Sequence, residues 1–197
     1  MGAMATQKFA MSGHRLLARF RRDARGLAAV EFAIILPLMI VIFFGTIEVS
    51  TGVAVDRKVT VLTRTLSDLI SQAPSITSTD LANAFAMGPA IMTPYSGSPI
   101  RAIISQIYID PNTLVATVKW SSGSNATARG YNSVVSIPTG LAIGGTYLIM
   151  SEVSYNFTPV VGYQLGAAVP TFTLSDQTFT RPRQSSCVVY QNAANCT

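Results

Sequence analysis

The chain has 197 residues, 49% of them hydrophobic and only 12% charged, with a net charge of +5. That length holds one ordinary domain plus a short accessory segment, and the apolar average, a mean hydropathy of +0.38, excludes a disordered chain. The charge is uneven: Lys8, Arg15, Arg19, Arg21, Arg22 and Arg25 stand against Asp23 alone within residues 1–26, and the remaining 8 basic and 8 acidic residues cancel.

Residues 1–26 read as a basic cytoplasmic leader. A nucleic-acid binder spreads Lys and Arg over a folded face among aromatics, and nothing after Gly26 has that pattern, so nucleic acid is excluded as a partner. Leu27–Ile47 follows, 21 residues whose only charge is Glu31. As a helix this run reaches roughly 30 Å, the thickness of a bilayer's hydrocarbon core. The arginines on its N-terminal side place the leader in the cytoplasm and everything after about residue 48 outside. A cleaved secretory signal has a shorter apolar run ending at a small-x-small site, whereas this run is longer and carries a carboxylate.

Glu31 is the anomaly. A charged carboxylate near the centre of a membrane helix costs about 2.5 kcal/mol or more and marks a functional candidate by default. Near the cytoplasmic interface it also simply reaches the headgroups. Gly26 stands at the junction of leader and apolar run, and a cut after it leaves Leu27 as a new N-terminus with Glu31 at the fifth position. A freed amine is cationic, and opposite charges placed together lower the cost of burying both.

One helix is predicted over Leu27–Ser71, kinked at Pro37 and ended by Pro74. Residues 27–47 are its membrane-spanning half and 48–72 an amphipathic stalk. In the stalk Gly52, Val55, Val59, Leu62, Leu66 and Leu69 form an apolar stripe, free to pack on the chain's own domain or on a partner helix. Residues 73–197 form an extracytoplasmic domain. Its elements are a short helix over Leu81–Met87 capped by Ser78 or Thr79, and a hairpin of Ile103–Ile109 and Thr113–Trp120 joined at Asp110-Pro-Asn-Thr. A solvent-facing loop over Ser122–Gly145 with a small strand near Val134 comes next, then strands at Thr146–Phe157 and Gln177–Thr180. The fold is α+β: a long N-terminal helix followed by a small antiparallel sheet domain with a short additional helix.

Cys187 and Cys196 are the only cysteines, and in an oxidising compartment they favour a disulfide. No metal site is expected, because the only histidine is His14 in the leader, which also excludes the usual hydrolase triad. The carboxylates are too scattered to favour a two-carboxylate hydrolase. The myristoylation-like start Met1-Gly2 and the sequons at Asn125 and Asn156 carry no weight in an organisation of bacterial type.

Arg25-Gly26-Leu27-Ala28-Ala29-Val30-Glu31-Phe32, followed by Leu36-Pro37-Leu38, resembles the N-terminus of TadE-like pseudopilins, components of the Tad (tight adherence, Flp) branch of type IV pili. The likeness continues in Trp120-Ser121, in Glu152 to Pro159 and in Arg181-Pro182-Arg183. The resemblance implies that a prepilin peptidase removes the leader after Gly26, and that Glu31 pairs with the N-terminal amine of a neighbouring subunit. It also implies partners among other pilins and pseudopilins, the Tad inner-membrane assembly platform and membrane lipid. The role is then structural, in building or priming a pilus for surface adhesion, with no enzymatic activity and no cofactor. A domain as long as residues 73–197 suits a minor subunit better than a major pilin. The alternative is an unprocessed bitopic membrane protein whose outer domain binds a ligand or an envelope partner.

Overall fold

The computed structural model describes residues 26–160, 170–191 and 196. The leader reading over residues 1–25, with His14 and the myristoylation-like start, lies outside the described residues. The chain divides into two compact units, Met1–Ile47 and Glu48–Thr197. Helix α1, Leu27–Ser71, runs through both and contains Pro37. In the first unit every described residue is exposed, which for so apolar a sequence is the signature of a helix made for a non-aqueous surrounding.

In the second unit α1 is one-sided. Val55, Val59, Leu62, Leu66 and Ile70 are buried, together with Thr63, Ser67 and Ser71. The expected stripe is thus corrected in its last turn, where Leu69 is 42% exposed and Ile70 only 2%. A straight helix turns every 3.6 residues, so a strict alternation of three and four drifts off the buried line. The helix tightens at its end through Ala73 N–H to Ile70 C=O at 3.3 Å, and Pro74 cannot continue it.

Ser75–Ile76 (β1) follows, then helices Ser78–Ala86 (α2) and Gly88–Met92 (α3). The cap of α2 is Thr77, neither Ser78 nor Thr79. Its hydroxyl accepts from the Asp80 amide, and the Asp80 carboxylate accepts from the Thr77 amide at 2.8 Å, so the acid three residues on selects the cap. These bonds from Thr77 hold the Asp80 carboxyl below its ordinary value. Gly88-Pro89 ends α2, yet it also starts α3, because proline is tolerated in a first helical turn. Lys58 Nζ donates to the Ile91 carbonyl at 2.9 Å and ties α3 to α1.

The main sheet has strands Ile100–Ile109 (β2), Ala116–Ser124 (β3), Val134–Val135 (β4), Tyr147–Phe157 (β5) and Phe172–Thr180 (β6), all antiparallel, in the order β4-β3-β2-β5-β6. The β2–β3 turn is longer than expected. Leu114 adopts φ 57°, outside strand conformations, which delays β3 to Ala116. The Asp110 carboxylate accepts from the amides of Thr113 (2.8 Å) and Asn112 (2.9 Å) and holds that turn.

One sheet face carries Ala102, Ile104, Trp120, Ile149, Val153, Tyr155 and Phe157 against the α1 stripe, Leu81, Ala84 and Met92. The stalk stripe therefore packs on the chain's own sheet. The other face carries Ile107, Ile109, Val118, Leu148 and Met150, covered by Ile137, Leu141 and Phe179. The segment expected as a solvent-facing loop thus closes a second apolar cluster, and β3 extends into it as far as Ser124. Lys119 is the pivot. Opposite β2 the register passes from Val118↔Ile107 to Trp120↔Gln106, and this one-residue bulge sends Val118 to one core and Trp120 to the other. The expected last strand begins earlier, at Phe172, and Val189–Tyr190 (β7) pairs with β1 in parallel.

Leu62→Ala is expected to cost about 2 to 5 kcal/mol, while Val61→Ala, on the exposed side of the same turn, stays near wild type. Denaturant unfolding of the detergent-solubilised protein measures the difference.

Candidate functional site

The residues singled out at the N-terminus gather at the start of α1. Gly26 is exposed and directly precedes the helix, whose first residue is Leu27. Glu31, also exposed, follows four positions later, about 6 Å along the axis and on the same helix face. Helical side chains lean toward the N-terminus, so the Glu31 carboxylate is directed back toward the Leu27 end. Among the described residues a Cβ on Gly26 would meet no atom within 4 Å, so packing gives no reason for glycine there. Pro37 lies inside the helix and leaves the Ala33 carbonyl without its amide, the local cause of a kink. α1 is the one helix among the described residues long and apolar enough to cross a membrane.

Residues 26–65 match the TadE-like protein family. The match opens on Gly26, takes in Leu27, Glu31 and Pro37, and ends inside the buried half of α1, before any strand begins. No curated protein and no solved structure gives a significant match. A TadE-like segment implies a Tad pilus-related protein with other pilus components as partners, and the long apolar helix accords with single-pass membrane attachment.

The downstream positions that resemble TadE-like chains lie beyond the matched segment, and several meet in a latch over the C-terminal end of α1. Trp120 Nε1 donates to the Val188 carbonyl at 3.0 Å, and its ring stacks on Tyr190 with centroids 5.3 Å apart. Gln106 Oε1 accepts from the Val188 amide at 2.6 Å, so that residue is gripped by two side chains at once. Arg183 donates its amide to the Ser71 carbonyl at 2.8 Å and pairs through its guanidinium with Asp68. Cys187 is joined to Cys196, with Cα atoms 5.9 Å apart; residues 192–195 between them lie outside the described set. β7 continues on β1, with Val189 N–H to the Pro74 carbonyl at 3.1 Å. Gln106 and the β1–β7 pair escaped sequence reasoning. The available signal was a glutamine inside an isoleucine-rich strand, a position where burial demands a partner.

Glu152, in the third resembling stretch, receives Arg129 Nε and Nη2 in a bidentate pair at 2.7 Å each. That hydrogen bonding raises the Arg129 pKa further, against the opposing effect of burial. Arg129 N–H also reaches Ser121 Oγ at 3.0 Å, and Ser121 Oγ lies 2.9 Å from Ser105 Oγ. The neighbouring cleft, about 510 Å³, is lined by Arg101, Ser154, Ser175 and Gln177. It offers hydrogen-bonding groups and charge, including the Glu152 and Asp176 carboxylates. Among the described residues no group of His, Cys, Asp and Glu is suited to a metal ion.

Trp120→Phe keeps the ring and removes the donor, leaving the buried Val188 carbonyl unpaired at an expected cost of about 1 to 3 kcal/mol. Hydrogen exchange should quicken first at the amides of residues 188–190.

Proposed function

We propose that the protein is a minor pseudopilin that takes part in assembling or priming a Tad-type (Flp) pilus for surface adhesion. The family match that opens at Gly26 carries this reading, because it falls on the segment in which Gly26, Leu27 and Glu31 stand together. A prepilin peptidase cuts between Gly26 and Leu27 and removes the basic leader. The new Leu27 amine pairs with Glu31 of a neighbouring subunit and sets the register of assembly. Opposite charges brought together in a low-dielectric setting offset each other's desolvation, which makes the carboxylate tolerable within an apolar helix. The span sits in the inner membrane with its N-terminus cytoplasmic and residues 73–197 periplasmic. Other pilins, pseudopilins and the Tad platform are the partners, and the role is structural. The disulfide joining Cys187 and Cys196 suits the oxidising side of that membrane.

Intact mass and N-terminal sequence, measured in cells with and without the prepilin peptidase, test the processing step. A start at Leu27 only when the peptidase is present is the expected result. An intact leader in both strains refutes it and favours the unprocessed bitopic protein. Glu31→Ala is expected to leave cleavage intact while pseudopilin partners no longer co-purify; undiminished recovery of those partners refutes the pairing role.

A further inference from the structure

Cys187 and Cys196 stand nine residues apart in sequence, and the ring that their bond closes contains Val188, Val189 and Tyr190, the gripping residues of the latch. Val188 is held by Trp120 Nε1 at 3.0 Å and Gln106 Oε1 at 2.6 Å, and Tyr190 lies against the Trp120 ring. The amides of Val189 and Gln191 donate to the carbonyls of Pro74 at 3.1 Å and Ile76 at 3.0 Å. Contacts on β1, β2 and β3 therefore all end on one short segment inside the ring. Arg183 lies outside it and is tied separately to Ser71 and Asp68. With the disulfide broken, everything after Cys187 is a chain end anchored on one side only.

Local opening concentrates at such ends. A free end frays one residue at a time, whereas a ring must give up its contacts together. Closing a loop of this length restricts the open chain by about 100-fold. The grip it supports also carries a standing cost: Gln106 Nε2 is buried with no hydrogen-bond partner among the described residues. The core beneath keeps the α1 stripe against the sheet without the latch, which contributes Val188 as its one fully buried side chain there. The bond itself is reachable from one side, since Cys187 is 2% exposed and Cys196 only half-buried. Access decides which sulfur an incoming thiolate attacks.

We infer that the latch is gated by thiol–disulfide exchange: the oxidised chain is closed on Trp120 and Gln106, and reduction by a dithiol frees residues 188–191 while the helix–sheet core stays folded. One thiolate of the dithiol attacks Cys196 Sγ, the Cys187–Cys196 bond breaks, and Cys187 leaves as a thiolate that takes up a proton. The dithiol's second sulfur then displaces Cys196 and completes its own disulfide, so two electrons and two protons pass from the dithiol to the two cysteines. Opening uncovers the Trp120 indole N–H, the Gln106 amide and the edge of β1, which the latch satisfies when closed.

The full chain in detergent, folded in its oxidised form and then treated with dithiothreitol, tests this without any substitution. Trp120 is the only tryptophan, so its emission reports the latch directly. Reduction is expected to red-shift that emission and to speed amide exchange about 100-fold at residues 188–191. Exchange over Val55–Ile70 should stay unchanged, and reoxidation should reverse both effects. Unchanged exchange at 188–191 means that the noncovalent grip suffices, and acceleration that spreads to Val55–Ile70 means that the bond staples the whole domain; either result overturns the gating. A thioredoxin-type protein lacking the second of its two cysteines is expected to be trapped as a mixed disulfide on Cys196. Trapping on Cys187, or no trapping, overturns the route of attack.

Discussion

The line of Val55, Val59, Leu62, Leu66 and Ile70 against β2 and β5 sets the terms for the second unit. Once α1 lies along the sheet, the side chains facing it from Ile100 to Gln106 and from Ile149 to Phe157 are buried. The opposite side is apolar only near one end, at Ile107, Ile109, Leu148 and Met150. That end therefore needs its own cover, and Ile137 and Leu141 provide it from the segment after β3. The remainder of the outer side stays polar, which is where Arg129 and Glu152 pair. A single bulge at Lys119 lets β3 serve both cores.

The helix–sheet seam is not purely apolar. Thr63, Ser67 and Ser71 recur every four residues within it and are fully buried. Thr63 Oγ1 returns its proton to the Val59 carbonyl at 2.8 Å, and Ser71 Oγ does the same to Asp68 at 2.8 Å. Only Ser67 reaches across, to Thr180. Small hydroxyl side chains let the helix approach the sheet closely while their polar atoms stay satisfied. Ser71 also ends the helix with a carbonyl that Arg183 occupies, so the seam and the C-terminal latch are continuous.

What the sequence made legible were the features that follow from periodicity. The bounds Leu27 and Ser71, the strands around Ile104 and Ile149, and the helix before Gly88 rest on local patterns that tertiary packing reinforces. What it concealed depended on partners distant in the chain. Ser75–Ile76 is too short to read as a strand until Val189–Tyr190 lies beside it. Gln106 looks like a surface residue until the Val188 amide meets it. Leu69 and Ile70 cannot be told apart by hydropathy, only by the accumulated turn of a straight helix. Thr77 was within reach, since Asp80 three residues on marks it as a cap, but two neighbouring hydroxyl residues compete for the same role. Gly26, Leu27 and Glu31 were legible for the opposite reason. They are exposed among the described residues, and their spacing is the whole signal.

That spacing has an electrostatic consequence in the pseudopilin reading. While the leader is attached, the arginine Arg25 stands six positions before Glu31 in the sequence. Cleavage exchanges that group for one amine at Leu27, about 6 Å along the axis from Glu31 and on its leaning side. The carboxylate therefore has a cation available within its own chain before any neighbour arrives. Assembly then swaps one pairing for another of the same kind and does not create a new ion pair from two solvated ions. The net gain per swap is small, because desolvation has already been met when the chain sits in the bilayer. A carboxylate paired in this way fixes position, and the exposed apolar surfaces of residues 27–47 hold subunits together only in the register that it sets.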